Sequence, residues 1–212
     1  VNVPYPGKYG EIGGFDVQDA NTGEPVFYIL KIYSRGNEQI TTNSRIEIYD
    51  SGNKSIKTFN IGTDEIPPAD FVEINSKLDM GNLGAGNYKA VAIVSYDGNE
   101  VKREDDFKLG ELRVKIVNYT RMLEKNKINP FEIEVESAWN DPVENLYAEV
   151  FVEQTNISFL TPSVELEPWQ RTKLLGYFDT TGLESGKDFQ VKMILHYGDK
   201  TTEETAYLTF VK

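Results

Sequence analysis

The 212-residue chain has no cysteine and only one histidine, His196. Without thiols there are no disulfides, thiolate metal sites or cysteine nucleophiles, and packing alone must hold the fold. One histidine, on the outward side of its segment, excludes a histidine pair, a Ser-His-Asp arrangement and a histidine metal cluster. The G-x-S-x-G, Gly-rich phosphate-loop and HExxH patterns are also missing, which removes the common hydrolase and nucleotide-binding chemistries. No apolar run approaches the length that spans a bilayer, so any membrane attachment is expected through an anchor outside this sequence. Basic residues are few and scattered. With 22 of them against 34 acidic ones the net charge is −12, a field that repels polyanions, and nucleic acid is not an expected partner. So many carboxylates guarantee that some are close in space, so a two-carboxylate glycosidase pair carries no signal here.

What the chain does have is one pattern written twice. Leu78-Asp79, Leu83, Gly86, Tyr88 and Tyr96 are matched about a hundred residues later by Phe178-Asp179, Leu183, Gly186, Phe189 and Tyr197. In the second copy Phe189, Val191, Met193, Leu195 and Tyr197 alternate with Gln190, Lys192, Ile194 and His196, the pattern of a half-buried strand. In the first, Ala90, Ala92, Val94 and Tyr96 take the inward places and Lys89, Val91, Ile93 and Ser95 the outward ones. The Leu-x-x-Gly turn ahead of each resembles the tyrosine corner of immunoglobulin-like and fibronectin-like sandwiches. Only Tyr88 keeps the hydroxyl. At Phe189 the anchoring hydrogen bond cannot form, and packing alone is expected to hold that corner.

Short alternating runs separated by turn residues predict an all-β chain of two tandem immunoglobulin-like or fibronectin-like β-sandwich domains. The first covers residues 1–110, with an irregular N-terminal lead-in, and the second covers 111–212. Only Gly110-Glu111 separates Leu109 from Leu112, which leaves little room for a hinge. Met122–Lys125 reads as one helical turn.

Several residues are candidates for contact or modification. Phe27, Ile29 and Tyr33, with Phe71, form an apolar patch on an outer sheet face if the register is as aligned; slipped by one, they are core. Periodicity leaves both readings open, because the segment is apolar on both faces. The aligned positions in the second half carry Glu132, Glu134 and Glu136. Trp169, after Pro168 at a bend, is either a packed corner or a stacking platform for a glycan, whereas Trp139 ends an alternating run and caps the second core. Asn53, Asn118 and Asn156 begin N-glycosylation triplets. Asp19, Asn21 and Glu24 form an oxygen-rich loop that fits a calcium site, but Asn21-Thr22-Gly23 also suits a plain turn, and no metal or other cofactor is expected.

The spans Asn21-Thr22-Gly23-Glu24-Pro25, Leu83-Gly84-Ala85-Gly86-Asn87-Tyr88-Lys89-Ala90, Phe107-Lys108-Leu109-Gly110-Glu111-Leu112 and Leu183-Glu184-Ser185-Gly186, with Trp139-Asn140, carry a resemblance. They are similar to archaeal cell-surface proteins with tandem immunoglobulin-like, cell-adhesion-related (CARDB-like) domains. The resemblance spans nearly the whole chain and implies no catalytic residues. It implies a noncatalytic extracellular or cell-surface module, acting as a spacer or as an adhesion or envelope interaction domain. Its expected partner is another surface protein or envelope component. The alternative is a carbohydrate-binding accessory module.

Overall fold

The structure, a computed structural model, describes residues 5–153, 155, 157–183 and 189–211. The described residues form strands and turns with no helix, and the chain divides into two compact units, Val1–Gly110 and Glu111–Lys212.

The first unit contains β1 (Gly10–Val17), β2 (Ala20–Asn21), β3 (Val26–Ser34), β4 (Ile40–Tyr49), β5 (Ser55–Ile66), β6 (Phe71–Leu78), β7 (Gly86–Tyr96) and β8 (Asn99–Gly110). These make a three-stranded sheet, β1-β3-β6, and a five-stranded one, β2-β8-β7-β4-β5. The second unit contains β9 (Val114–Tyr119), β10 (Met122–Glu124), β11 (Ile128–Ser137), β12 (Val143–Val152), β13 (Ser158–Leu160), β14 (Val164–Leu166), β15 (Arg171–Asp179), β16 (Phe189–Tyr197) and β17 (Lys200–Val211). Its sheets are β9-β11-β15 and β10-β17-β16-β12-β13, with β14 also paired to β12. The two units share one plan, except that two short strands, β13 and β14, pair along β12 where β5 alone pairs along β4. In each, the opening strand is split: its first part joins the small sheet antiparallel, and a short second part pairs parallel with the last strand. This is an immunoglobulin-like sandwich arrangement.

Alternation drives the layering. Leu30 and Ile32 of β3 face Ile46 and Ile48 of β4 and Ala90, Ala92 and Val94 of β7, all fully buried. In the second unit Phe131, Ile133 and Val135 of β11 meet Val150 of β12 and Val191, Met193 and Leu195 of β16. Each such aliphatic side chain contributes about 1.5–3 kcal/mol by leaving water, which lets the units dispense with disulfides.

Where β1 ends the small sheet of the first unit, β8 reaches it with side chains. The Arg103 guanidinium donates to the Ile12 and Gly13 carbonyls at 3.4 and 3.2 Å, and the Asp105 carboxylate accepts the Val17 N–H at 2.8 Å. The carbonyls Arg103 holds flank a β-bulge, since pairing with β3 shifts register between Ile12 and Gly14.

One expectation is corrected. Met122–Glu124 is a strand and not a helical turn, because it finds a parallel partner in Thr209–Val211, far away in sequence. The expected Phe189 corner runs through residues 184–188, outside the described residues, but the start of the β15–β16 connection has a polar anchor. There the Thr180 hydroxyl lies 2.8 Å from the Glu124 carbonyl and 2.9 Å from that of Lys127, and accepts the Lys127 N–H at 3.1 Å. Asn129 completes the knot: its Oδ1 accepts the Glu124 N–H, and its Nδ2 donates to the Glu124 and Lys127 carbonyls. Both side chains are buried, as satisfied polar groups can be. In the first unit the tyrosine corner forms as expected, with Tyr88 donating to the Gly84 carbonyl.

Candidate functional site

The outer face of the β1-β3-β6 sheet carries the apolar residues singled out above. Because β3 buries Val26, Tyr28, Leu30 and Ile32, its intervening residues must point outward. Phe27 is 52% exposed and Ile29 38%, and Phe71 on β6 is 47% exposed, so they belong to the surface and not to the core. Tyr33 stands opposite Phe71, with ring centroids 5.4 Å apart. Phe27 and Ile29 stand opposite Lys77 and Asn75, and all four line a groove beside Gln18. The four predicted residues thus share one face but form two clusters.

Cations join them. The Lys31 ammonium lies 4.1 Å from the Phe71 ring centroid and 3.6 Å from the Glu73 carboxylate. The Arg35 guanidinium stacks 4.0 Å over Tyr33 and pairs with Glu11 at 2.8 Å. Exposed cation–aromatic contacts of this kind each contribute about 0.5–1 kcal/mol. Beneath Tyr33 the β-bulge places Gly13, where an added Cβ would lie 2.1 Å from the ring. Only glycine lets the Cδ2–Cε2 edge of this ring come so close to the backbone.

The corresponding face of the second unit is acidic along β11, with Lys173 paired to Glu132 at 2.8 Å and Arg171 to Glu136 at 3.3 Å. Sequence comparison of β11 alone misses what β15 adds beside it. Leu175 and Tyr177 are exposed on that strand, so this face has an apolar end of its own. The signal was present in the sequence as Leu175 and Tyr177 alternating with buried Leu174, Gly176 and Phe178.

The remaining candidates do not gather into a common site. Trp169 is half-buried with φ 59°, and its indole N–H donates to Asn140 Oδ1 at 3.1 Å, which fixes the ring at a corner. Trp139 packs half-buried against the second core. Asn53 is exposed at the tip of the β4–β5 turn with φ 60°, while Asn118 lies in β9 opposite Glu134. Asn156 lies outside the described residues. Asp19 and Glu24 spend carboxylate oxygens on the backbone N–H groups of Lys108 and Asn21, and Asn21 is buried. Among the described residues no group of three acidic or imidazole side chains is arranged to hold a metal. His196 points outward as expected but is not simply solvated. It stacks on Tyr147 with ring centroids 4.7 Å apart, and its buried Nε2 sits 3.5 Å from Glu149 without a hydrogen bond.

No protein-family model matches the chain, and no curated protein matches it. Among solved structures it is similar to red sea bream transglutaminase, with 9% identity over 94% of this chain and 31% of that one, at a TM-score of 0.42. It is also similar to Escherichia coli alpha-2-macroglobulin activated by porcine elastase, with 11% identity, 93% and 22% coverage and a TM-score of 0.38. CBD12 from CALX1.2 is similar at 10% identity, with 87% of this chain and 80% of that one covered and a TM-score of 0.37. The chain spans less than a third of the length of the transglutaminase.

Proposed function

We propose that this chain is a noncatalytic module of the cell exterior that contacts another surface protein or envelope component through the outer face of its first small sheet. The observation that carries the reading is the aromatic–cation layer of Tyr33, Phe71, Lys31 and Arg35, in which the Tyr33 ring edge abuts Gly13, on the same face as exposed Phe27 and Ile29. Aromatic and arginine side chains are the anchors that protein interfaces favour, and a rigid, pre-positioned layer loses little entropy on binding. The resemblance to CARDB-like surface proteins read from the sequence implies the same compartment and role.

The test places a photo-crosslinking residue at Phe27, at Phe71 or at exposed Asn99, in the protein on the surface of intact cells. A discrete adduct from Phe27 and Phe71 but not from Asn99 is the expected result. Equal labelling at all three, or none, removes the proposed face. Hydrolytic turnover by the purified chain on a broad substrate panel removes the noncatalytic assignment.

A further inference from the structure

A cleft of ≈ 660 Å³ opens in the first unit where the start of β7, the end of β8 and the β4–β5 turn meet. That volume falls among small-ligand sites. Its fixed element is Tyr88, half-buried, with its hydroxyl bound to Gly84 at 2.7 Å and its ring stacked on Phe107 at 5.7 Å. Two carboxylates are locked into the walls by backbone. Asp50 Oδ1 accepts the N–H groups of Gly52 and Lys54 at 3.0 Å each, and Asp19 Oδ1 accepts that of Lys108 at 2.6 Å.

Asn53, Asn87, Lys89 and Asp106 stand around the ring. The Asn53 and Asn87 amides and the Asp106 carboxylate make no hydrogen bond or ion pair with another described side chain, so they are available to a ligand. Together these groups offer amides that both donate and accept, a carboxylate that accepts, and the Lys89 ammonium, which pairs with Glu104 at 3.3 Å and keeps further N–H donors. An anionic ligand would meet Asp19, Asp50 and Asp106, and an apolar one would leave the amides unpaired. A sugar matches instead: each hydroxyl both donates and accepts, and the C–H face of a pyranose lies on an aromatic ring. We propose that this cleft binds a neutral saccharide, with Tyr88 as its floor and Asn53, Asn87, Lys89 and Asp106 holding its hydroxyls.

The site is separate from the β1-β3-β6 face, so either proposal can fail without the other. The whole chain is applied to an array of neutral glucans, mannans and chito-oligosaccharides, and retained glycans are titrated by calorimetry. Asn87→Ala and Asp106→Ala are each expected to weaken binding about tenfold, the loss of one good hydrogen bond. Both positions are exposed, and an unchanged thermal midpoint confirms intact folding. Trp169→Ala is expected to leave the affinity unchanged. Retention of no glycan overturns the proposal, as does binding that survives both cleft substitutions or is lost only with Trp169→Ala.

Discussion

The Tyr88 hydroxyl donates across 2.7 Å to the carbonyl of Gly84, four residues earlier, and so closes the connection that leads into β7. Tyr88→Phe keeps the stack on Phe107 and deletes only this bond, at an expected cost of about 1 kcal/mol. The two tryptophans, Trp139 and Trp169, both lie in the second unit, which gives a clean readout. In denaturant, far-UV circular dichroism should show part of the transition moving to lower concentration while tryptophan fluorescence stays put. A shift in fluorescence would mean that the corner is not local to the first unit.

Gly13 under Tyr33 makes a sharper case, because an added Cβ would meet the ring and not a flexible chain end. Gly13→Ala must lift Tyr33 off the sheet and away from Arg35, at an expected cost of about 1–3 kcal/mol. If the aromatic layer is the contact face, crosslinking from Phe71 on intact cells should fall with it. Unchanged crosslinking would place the partner elsewhere.

On the outer face of the large sheet of the first unit, Ile93 is only 2% exposed, although its strand turns it away from the core. Arg45 and Lys102 are its cross-strand neighbours, and stems as long as theirs shield apolar surface while the charged ends stay in water. Their charged ends pair with Glu47 and Glu100. The hydroxyl of Tyr49, and then Arg45, hold Glu47 below the ordinary glutamate value of 4.5; Lys102, and then Arg45, do the same for Glu100. A carboxylate depressed in the folded state stabilises above its unfolded value, and that contribution disappears as pH falls through the folded one. The first unit should therefore lose stability as pH drops below about 4.5. Arg45→Met, which removes the guanidinium and leaves Tyr49 and Lys102 on the two carboxylates, should flatten part of that loss in denaturation midpoints taken between about pH 5 and 3. An unaltered slope would show that these pairs are too well solvated to matter.

The sandwich layering was legible because alternation with period two survives in β11 and β16; β7 is apolar from Ala90 to Val94 and is oriented in sequence only through its match to β16. The β3 register was not: Phe27 to Tyr33 is apolar at nearly every position, and only the pairing with β6 decides which set faces water. The short strands β2 and β10 were hidden for another reason. Ala20–Asn21 and Met122–Glu124 gain their structure from parallel partners almost ninety residues away, and local sequence holds no record of such a partner. The cleft at Tyr88 was illegible likewise, since the turn at Asp50, the start of β7 and the end of β8 meet only in the fold.

The sequons differ in what surrounds them. Asn53 sits on an exposed turn, whereas Asn118 is held in β9, and the hydroxyl of its Thr120 accepts the Glu132 N–H at 2.9 Å. Offered as folded protein to an oligosaccharyltransferase, the chain should acquire sugar at Asn53 far more than at Asn118. Peptide mass spectrometry reads the occupancy, and prior unfolding should even it out. Because Asn53 also lines the Tyr88 cleft, glycan attached there should reduce saccharide binding.

Thr180 occupies the second unit's counterpart of the tyrosine-corner connection. Its hydroxyl bridges Glu124 and Lys127, which the first unit does not do at that place, where Met80 is simply buried. Thr180→Val preserves the shape but strands the Lys127 N–H and removes the one O–H that the Glu124 and Lys127 carbonyls share, a loss of about 1–2 kcal/mol. Thr180→Ser keeps the hydroxyl and should recover most of it. Here tryptophan fluorescence should move in denaturant, the reverse of the result expected for Tyr88→Phe, because the polar anchor belongs to the unit that holds both indoles. If valine and serine destabilise equally, the hydroxyl contributes nothing net and Phe189 packing carries that end of the sandwich.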